Sequence, residues 1–235
     1  MMIEQNKFGR NTLLRVITGF VLGSLVMFAL LSGKLQFLSL ACIVTVAAAF
    51  EWTSFFGLKN WIAKSAYVFM VIGFSLGSYY LAEEYEIFNL YIFFGILFWS
   101  CVLFVVVGYE YINFDIPRSR VILASLGLVV LPVAFVSIGA LYRNSVNLVI
   151  VFLVGVWAVD VAAYFGGKLK GRRKFASKIS PNKTWEGVWY GMAGGMIMIL
   201  FTGLVLLPLN LSGLFLLSLF TVFFAILGDL FESLL

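Results

Sequence analysis

Histidine does not occur in this chain. Its absence removes His-based triads, His metal sites and imidazole general bases, so catalysis must rest on carboxylates, Lys, Arg, Ser, Thr or a bound metal. Cysteine is almost as scarce. Cys42 and Cys101 both sit inside apolar runs, which argues against a disulfide framework and reads as small hydrophobes rather than redox chemistry. Charge is also thin. Only 11% of the 235 residues are charged and 63% are hydrophobic, whereas a soluble domain carries roughly a quarter and a half. No water-soluble core can hide that composition. Linkers, low-complexity tracts and a convincing internal repeat are missing too, which leaves a single domain over residues 1–235.

What the chain has instead is apolar runs of about 20 residues, the length that crosses a bilayer as a helix. They do not alternate every second residue, as barrel strands would. Spans are expected near 12–32, 35–56, 61–81, 87–107, 121–141, 146–166, 187–207 and 211–233. The first follows Lys7, Arg10 and Arg15, but the run from Thr12 to Ser32 exceeds the 7–15 residues of a secretory h-region and reads as a retained span. Orientation follows from the basic residues. With the N-terminus inside, every Lys and Arg of the 16 falls inside except Lys34 and Arg143. Glu83, Glu84 and Glu86 then lie in an outside loop that holds no base. The fold class is an all-α polytopic membrane protein of about eight transmembrane helices with a cytoplasmic N-terminus, and residues 167–186 form a basic cytoplasmic loop.

Under this topology Glu51, Asp160, Asp229 and Glu232 lie toward the inner ends of their helices, and Glu186 opens the seventh span from the same side. A carboxylate within a span costs about 2.5–3.5 kcal/mol at the centre and less near an end. Glu51, beside Trp52, reads as an interfacial residue. Asp160 and Asp229 lie deeper, and several such costs aimed at one face suggest a shared purpose. Asp160 and Tyr164 share a helix face, as do Asp229 and Glu232. The basic loop alone is an ordinary positive-inside signal that suits anionic lipid; with Gly166, Gly167 and Gly171 it also suits phosphate. The run Ser180-Pro181-Asn182-Lys183-Thr184-Trp185-Glu186 looks like a helix entry, with Ser180 as the cap and Lys183 and Thr184 facing an anion. Carboxylates opposite such a loop point to a divalent cation holding a polyphosphate. Gly191, Gly194 and Gly195 read as close helix packing.

Three ordered motifs then carry a resemblance. They are Asp160-Val-Ala-Ala163-Tyr164-Phe-Gly166-Gly167, Ser180-Pro-Asn-Lys183-Thr184-Trp185-Glu186-Gly187 and Gly228-Asp229-Leu-Phe-Glu232-Ser233. Together, at 160–187 and 228–233, they resemble phosphatidate cytidylyltransferase, also called CDP-diacylglycerol synthase. The resemblance implies that phosphatidic acid and CTP give CDP-diacylglycerol and pyrophosphate, with Mg²⁺ or another divalent cation required. It implies catalytic roles for Asp160, Lys183, Glu186 and Asp229, with Asp229 as a metal ligand and Asp160 and Glu232 supporting the metal or its waters. Ser180, Lys183 and Thr184 would hold phosphates, Glu186 would orient that lysine or its loop, and Lys168 and Arg172 would steer the triphosphate. Expected partners are CTP, phosphatidic acid, anionic lipids and the bilayer of a bacterial inner membrane, with a second copy of the chain as a further candidate and no nucleic acid.

The family pattern continues past a serine like Ser233 into further basic and Asp-containing elements, whereas this sequence stops at Leu235 without a basic anchor. The expectation is a fragment that folds in membranes and lacks at least one metal-binding aspartate, so its own activity is left open. The rivals are a CTP-dependent polyprenol or lipid kinase, which would transfer a γ-phosphate, and a transporter. Transporters place their sites at the midplane between repeats, which fits acids gathered at one face poorly. A lipid-binding scaffold would explain the basic loop but not Asp160 and Asp229.

Overall fold

In lipid every backbone polar group must be satisfied within the chain, so apolar runs separated by short polar breaks fold as antiparallel helices. The computed structural model has this form. It describes the backbone of residues 2–84, 88–112 and 119–235, and the side chains within them except those of residues 2–16, 84 and 88. The helices are α1 (Met2–Ser32), α2 (Lys34–Trp52), α3 (Trp61–Glu84), α4 (Phe88–Val107), α5 (Arg120–Asn144), α6 (Val146–Lys170), α7 (Trp185–Leu206) and α8 (Leu211–Leu234). Among the described residues, seven of these, α2 to α8, are long and apolar enough to cross a membrane. The described apolar part of α1, Ile17–Ser32, is shorter. Large side chains such as Phe20, Ile62, Phe69 and Phe104 stand exposed on the outside of the bundle, where lipid is their natural contact. Lys7, Arg10, Arg15, Glu84, Glu86 and Arg118, which enter the orientation of the chain, lie outside the described side chains. Lys34, one of the two bases expected on the outer side, pairs with Glu83 at 2.6 Å.

Helix α1 starts at Met2 rather than near residue 12, and three further boundaries differ from the sequence expectation. The second helix stops at Trp52 rather than near 56, because Thr53–Gly57 forms a turn closed by Leu58 N–H on the Thr53 carbonyl, with Gly57 at φ 68°. The segment after α4 begins as a π-helical turn, Gly108–Ile112. The long basic loop is mostly ordered structure. Helix α6 runs on to Lys170, and a hairpin of β1 (Lys174–Ala176) and β2 (Ser180–Thr184) leads directly into α7. Its strands pair antiparallel, Lys174 opposite Thr184 and Ala176 opposite Ser180, with an irregularity between.

Helices α6, α7 and α8 form the tightest part of the bundle. Val151 and Val159 of α6, Ile199 of α7 and Val222 of α8 are buried together. Small residues let α6 and α7 approach: a Cβ on Gly191 would meet Ala163 Cβ at 3.0 Å and the Val159 carbonyl at 3.1 Å, and one on Gly195 would meet Val159 and, at 2.8 Å, Val222. This is small-residue packing between membrane helices. Gly195→Val should cost about 1–3 kcal/mol by overpacking. The thermal midpoint in detergent should therefore fall well below that of Gly73→Val, whose new Cβ would have nothing within 4 Å. Equal midpoints would show that the three helices do not meet closely at Gly195.

Candidate functional site

Helix α6 carries Asp160, Tyr164 and Lys168 at intervals of four residues, so their side chains stack along one face. The Lys168 ammonium donates to the Tyr164 hydroxyl at 3.3 Å and lies 5.3 Å from the centre of its ring. Helix α8 brings Asp229 toward the same place, and β2 brings Ser180, Asn182, Lys183 and Thr184. These eight residues line one cavity of about 630 Å³, whose apolar wall includes Val159, Ala163, Val188 and Ile226. A pocket of this size with few convergent polar groups is what small-molecule sites look like. Both of the deep carboxylates singled out from the sequence face it.

Lys183 sits at the centre of the polar wall. Its ammonium donates to the Asp229 carbonyl at 2.7 Å and the Ser233 hydroxyl at 3.1 Å, and it pairs with the Asp229 carboxylate at 2.8 Å. An ammonium has three N–H donors, and all three are used. The lysine side chain is 21% exposed and the aspartate side chain 58%, so the carboxylate keeps a face open to the cavity. Asp160 lies within electrostatic range of Asp229, Lys183 and Glu232.

The remaining expected site residues stand outside the cavity wall. Glu232 is exposed near the end of α8. Glu186 turns away from Lys183. Its carboxylate accepts the backbone N–H of Arg172 at 3.0 Å and that of Arg173 at 3.2 and 3.3 Å, so of the two partners expected for it, the lysine or its loop, it holds the loop. Arg172 meets this carboxylate through its backbone. Ser180 is not the cap of α7, because it opens a strand. Thr184, with extended backbone at φ −124°, is the cap, and its hydroxyl accepts the Gly187 N–H at 3.2 Å. Sequence reasoning misses Asn182, which lines the cavity; it lies between Pro181 and Lys183 in the quoted motif, and that position is its only signal.

Among the described residues no group of three or more His, Cys, Asp or Glu could hold a metal by itself. The donor set still fits Mg²⁺ in its usual role with nucleotides. That ion keeps several waters and binds through one or two carboxylates together with substrate phosphates. Asp160 and Asp229 supply such a pair, opposite the lysine- and threonine-bearing strand.

The sequence model of the cytidylyltransferase family matches residues 13–235. Among curated proteins, the chain is 31% identical to a phosphatidate cytidylyltransferase of Pseudomonas aeruginosa, over 76% of this chain and 66% of that protein. It is 29% identical to one of Haemophilus influenzae, over 93% of this chain and 84% of that protein. A third, from Bacillus subtilis, is 38% identical over 42% of this chain and 37% of its own length. The family match takes in every residue placed around the cavity, and the chain belongs to the cytidylyltransferase family.

Proposed function

We propose that the protein transfers the cytidylyl group of CTP to phosphatidic acid, giving CDP-diacylglycerol and pyrophosphate, at the cytoplasmic face of a bacterial inner membrane. Family membership and the names of its relatives supply the reaction class. The observation that carries the reading onto this chain is the cavity that joins Asp160 and Asp229, from two membrane helices, to Lys183 and Thr184 on a basic hairpin. The positive-inside count supplies the orientation. Exposed Lys170, Arg172, Arg173, Lys174 and Lys178 around the hairpin suit an acidic leaflet, which contributes about 1 kcal/mol per basic residue near the surface.

The chemistry asks little covalent work of the protein. A phosphate oxygen of the lipid forms a bond to the α-phosphorus of CTP, and the bond from that phosphorus to the bridging oxygen breaks, releasing pyrophosphate. Two anions must be brought together in line, so positioning and charge compensation dominate. A chain without histidine can do both. Lys183 and Thr184 would take nucleotide phosphate oxygens, Lys168 would add positive charge at the rim, and the apolar wall would receive the glycerol end of the lipid. Mg²⁺, held by Asp229 and Asp160 with Glu232 nearby, would neutralise the phosphates. Because all three donors of Lys183 are engaged, binding a phosphate means exchanging one of them. The bond to the Asp229 carboxylate is the natural one to exchange, since releasing it frees that carboxylate for the cation.

The test is product analysis with the full-length protein in vesicles containing phosphatidic acid, CTP and Mg²⁺. Pyrophosphate and CDP-diacylglycerol should appear in equal amounts. Release of CDP with a phosphorylated lipid would favour a lipid kinase and overturn the assignment.

A further inference from the structure

The strand that carries Lys183 belongs to a two-stranded ribbon of three and five residues, too short to hold its own shape in water. Something else must fix it. At its root, Glu186 takes the N–H groups of Arg172 and Arg173. At its tip, 67 to 69 residues away in sequence, a second carboxylate does the same. Glu110, in the π-helical turn after α4, accepts the N–H of Lys178 at 3.0 Å, the N–H of Ile179 at 3.3 Å and the hydroxyl of Ser177 at 3.2 Å. Successive N–H groups in a turn form a concavity that suits an anion, and here the anion is a side chain from another helix. Under the same tip, Ala176 and Ile179 are buried against Val102 and Val106 of α4 and Leu227, Leu230 and Leu234 of α8. The hairpin is thus pinned at both ends, and Ser180, Asn182, Lys183 and Thr184 lie between the pins.

We infer that Glu110 is a positioning residue for the nucleotide: through the backbone of the hairpin tip it holds β2 at the distance from α8 at which Lys183 reaches Asp229 and faces the cavity. Glu110 itself does not line the cavity. The π turn fits this inference, since such turns are frequent at functional sites and this one carries the acid that holds the hairpin tip. The kinetic consequence rests on the cytidylyl-transfer reading, whereas the structural consequence rests on the geometry alone.

Glu110→Ala removes the acceptors, and Glu110→Gln keeps the volume and one carbonyl acceptor without the charge. In the full-length protein in phosphatidic-acid vesicles, Glu110→Ala should raise KM for CTP about tenfold while kcat stays within about threefold, with Glu110→Gln between it and the parent. Hydrogen exchange should quicken at Lys178 and Ile179 and also at Lys183 and Thr184, four or more residues beyond the lost bonds. A KM within about twofold of the parent, or quickened exchange confined to Ser177–Ile179, would reduce Glu110 to local support of the turn and overturn the inference. If the alanine variant does not insert, the glutamine variant decides by the same two readings. If the parent itself does not consume CTP, the cytidylyl-transfer reading falls, and the spread of exchange alone decides the role of Glu110.

Discussion

Asp229→Asn should lower turnover by at least about a hundredfold, the scale on which removing one electrostatic stabiliser acts in an enclosed site. Asparagine has the same shape, and its side-chain oxygen can still accept from Lys183, so the 2.8 Å contact has a neutral successor. The 2.7 Å bond from Lys183 to the backbone carbonyl of residue 229 does not depend on the side chain at all. With the carboxylate side chain 58% exposed, loss of the ion pair costs at most about 1 kcal/mol of stability. Expression, insertion and the thermal midpoint should therefore stay close to the parent while the rate collapses. The loss should appear in kcat and kcat/KM together, because the charge matters most when the phosphates of both substrates converge. Steady-state rates at several Mg²⁺ concentrations check this. Near-parental turnover would remove Asp229 from the cation site and with it the mechanistic reading of the cavity.

The helices and the deep acids are legible in the amino-acid sequence alone. Apolar runs near 20 residues place helices α2 to α8 within a few residues, because a membrane span is set by bilayer thickness rather than by subtle packing. Asp160 and Asp229 stand out because an acid inside a span is costly, and the cost marks them whatever their partners. The hairpin is not legible. Ser180–Thr184 contains a proline and an asparagine, both poor strand formers, and its extended form comes from tertiary pinning by Glu110 and Glu186 rather than from propensity. The cap of α7 is misplaced for a related reason: Ser180 and Thr184 are both good cap residues, and only the strand assignment decides that the chain turns helical after Thr184. Glu110 reads in the sequence as one more loop acid. Its partners are backbone N–H groups on a distant segment, which leave no periodicity or spacing behind.

Lys183→Met should be at least as damaging as the aspartate substitution, and in a way that separates linked roles from independent ones. Methionine keeps the length of the stem and deletes the ammonium. The Asp229 carbonyl still receives the Ser233 hydroxyl at 2.8 Å, so the end of α8 stays satisfied. What disappears is the positive charge between the Asp229 carboxylate and the hairpin, and turnover should fall about a hundredfold to a thousandfold, with a higher KM for CTP. Lys183→Arg should not rescue it. The three acceptors converge on a single nitrogen, and a planar guanidinium spreads its donors over a fork that cannot reproduce that arrangement. The decisive measurement is the double variant. If Lys183 exchanges its bond to Asp229 for a nucleotide phosphate, and that exchange releases the carboxylate to the cation, the two residues act as one unit. Lys183→Met combined with Asp229→Asn should then be no slower than the worse single variant. Losses that multiply would mean that the ammonium and the carboxylate contribute separately, and the exchange between them would have no part in the reaction.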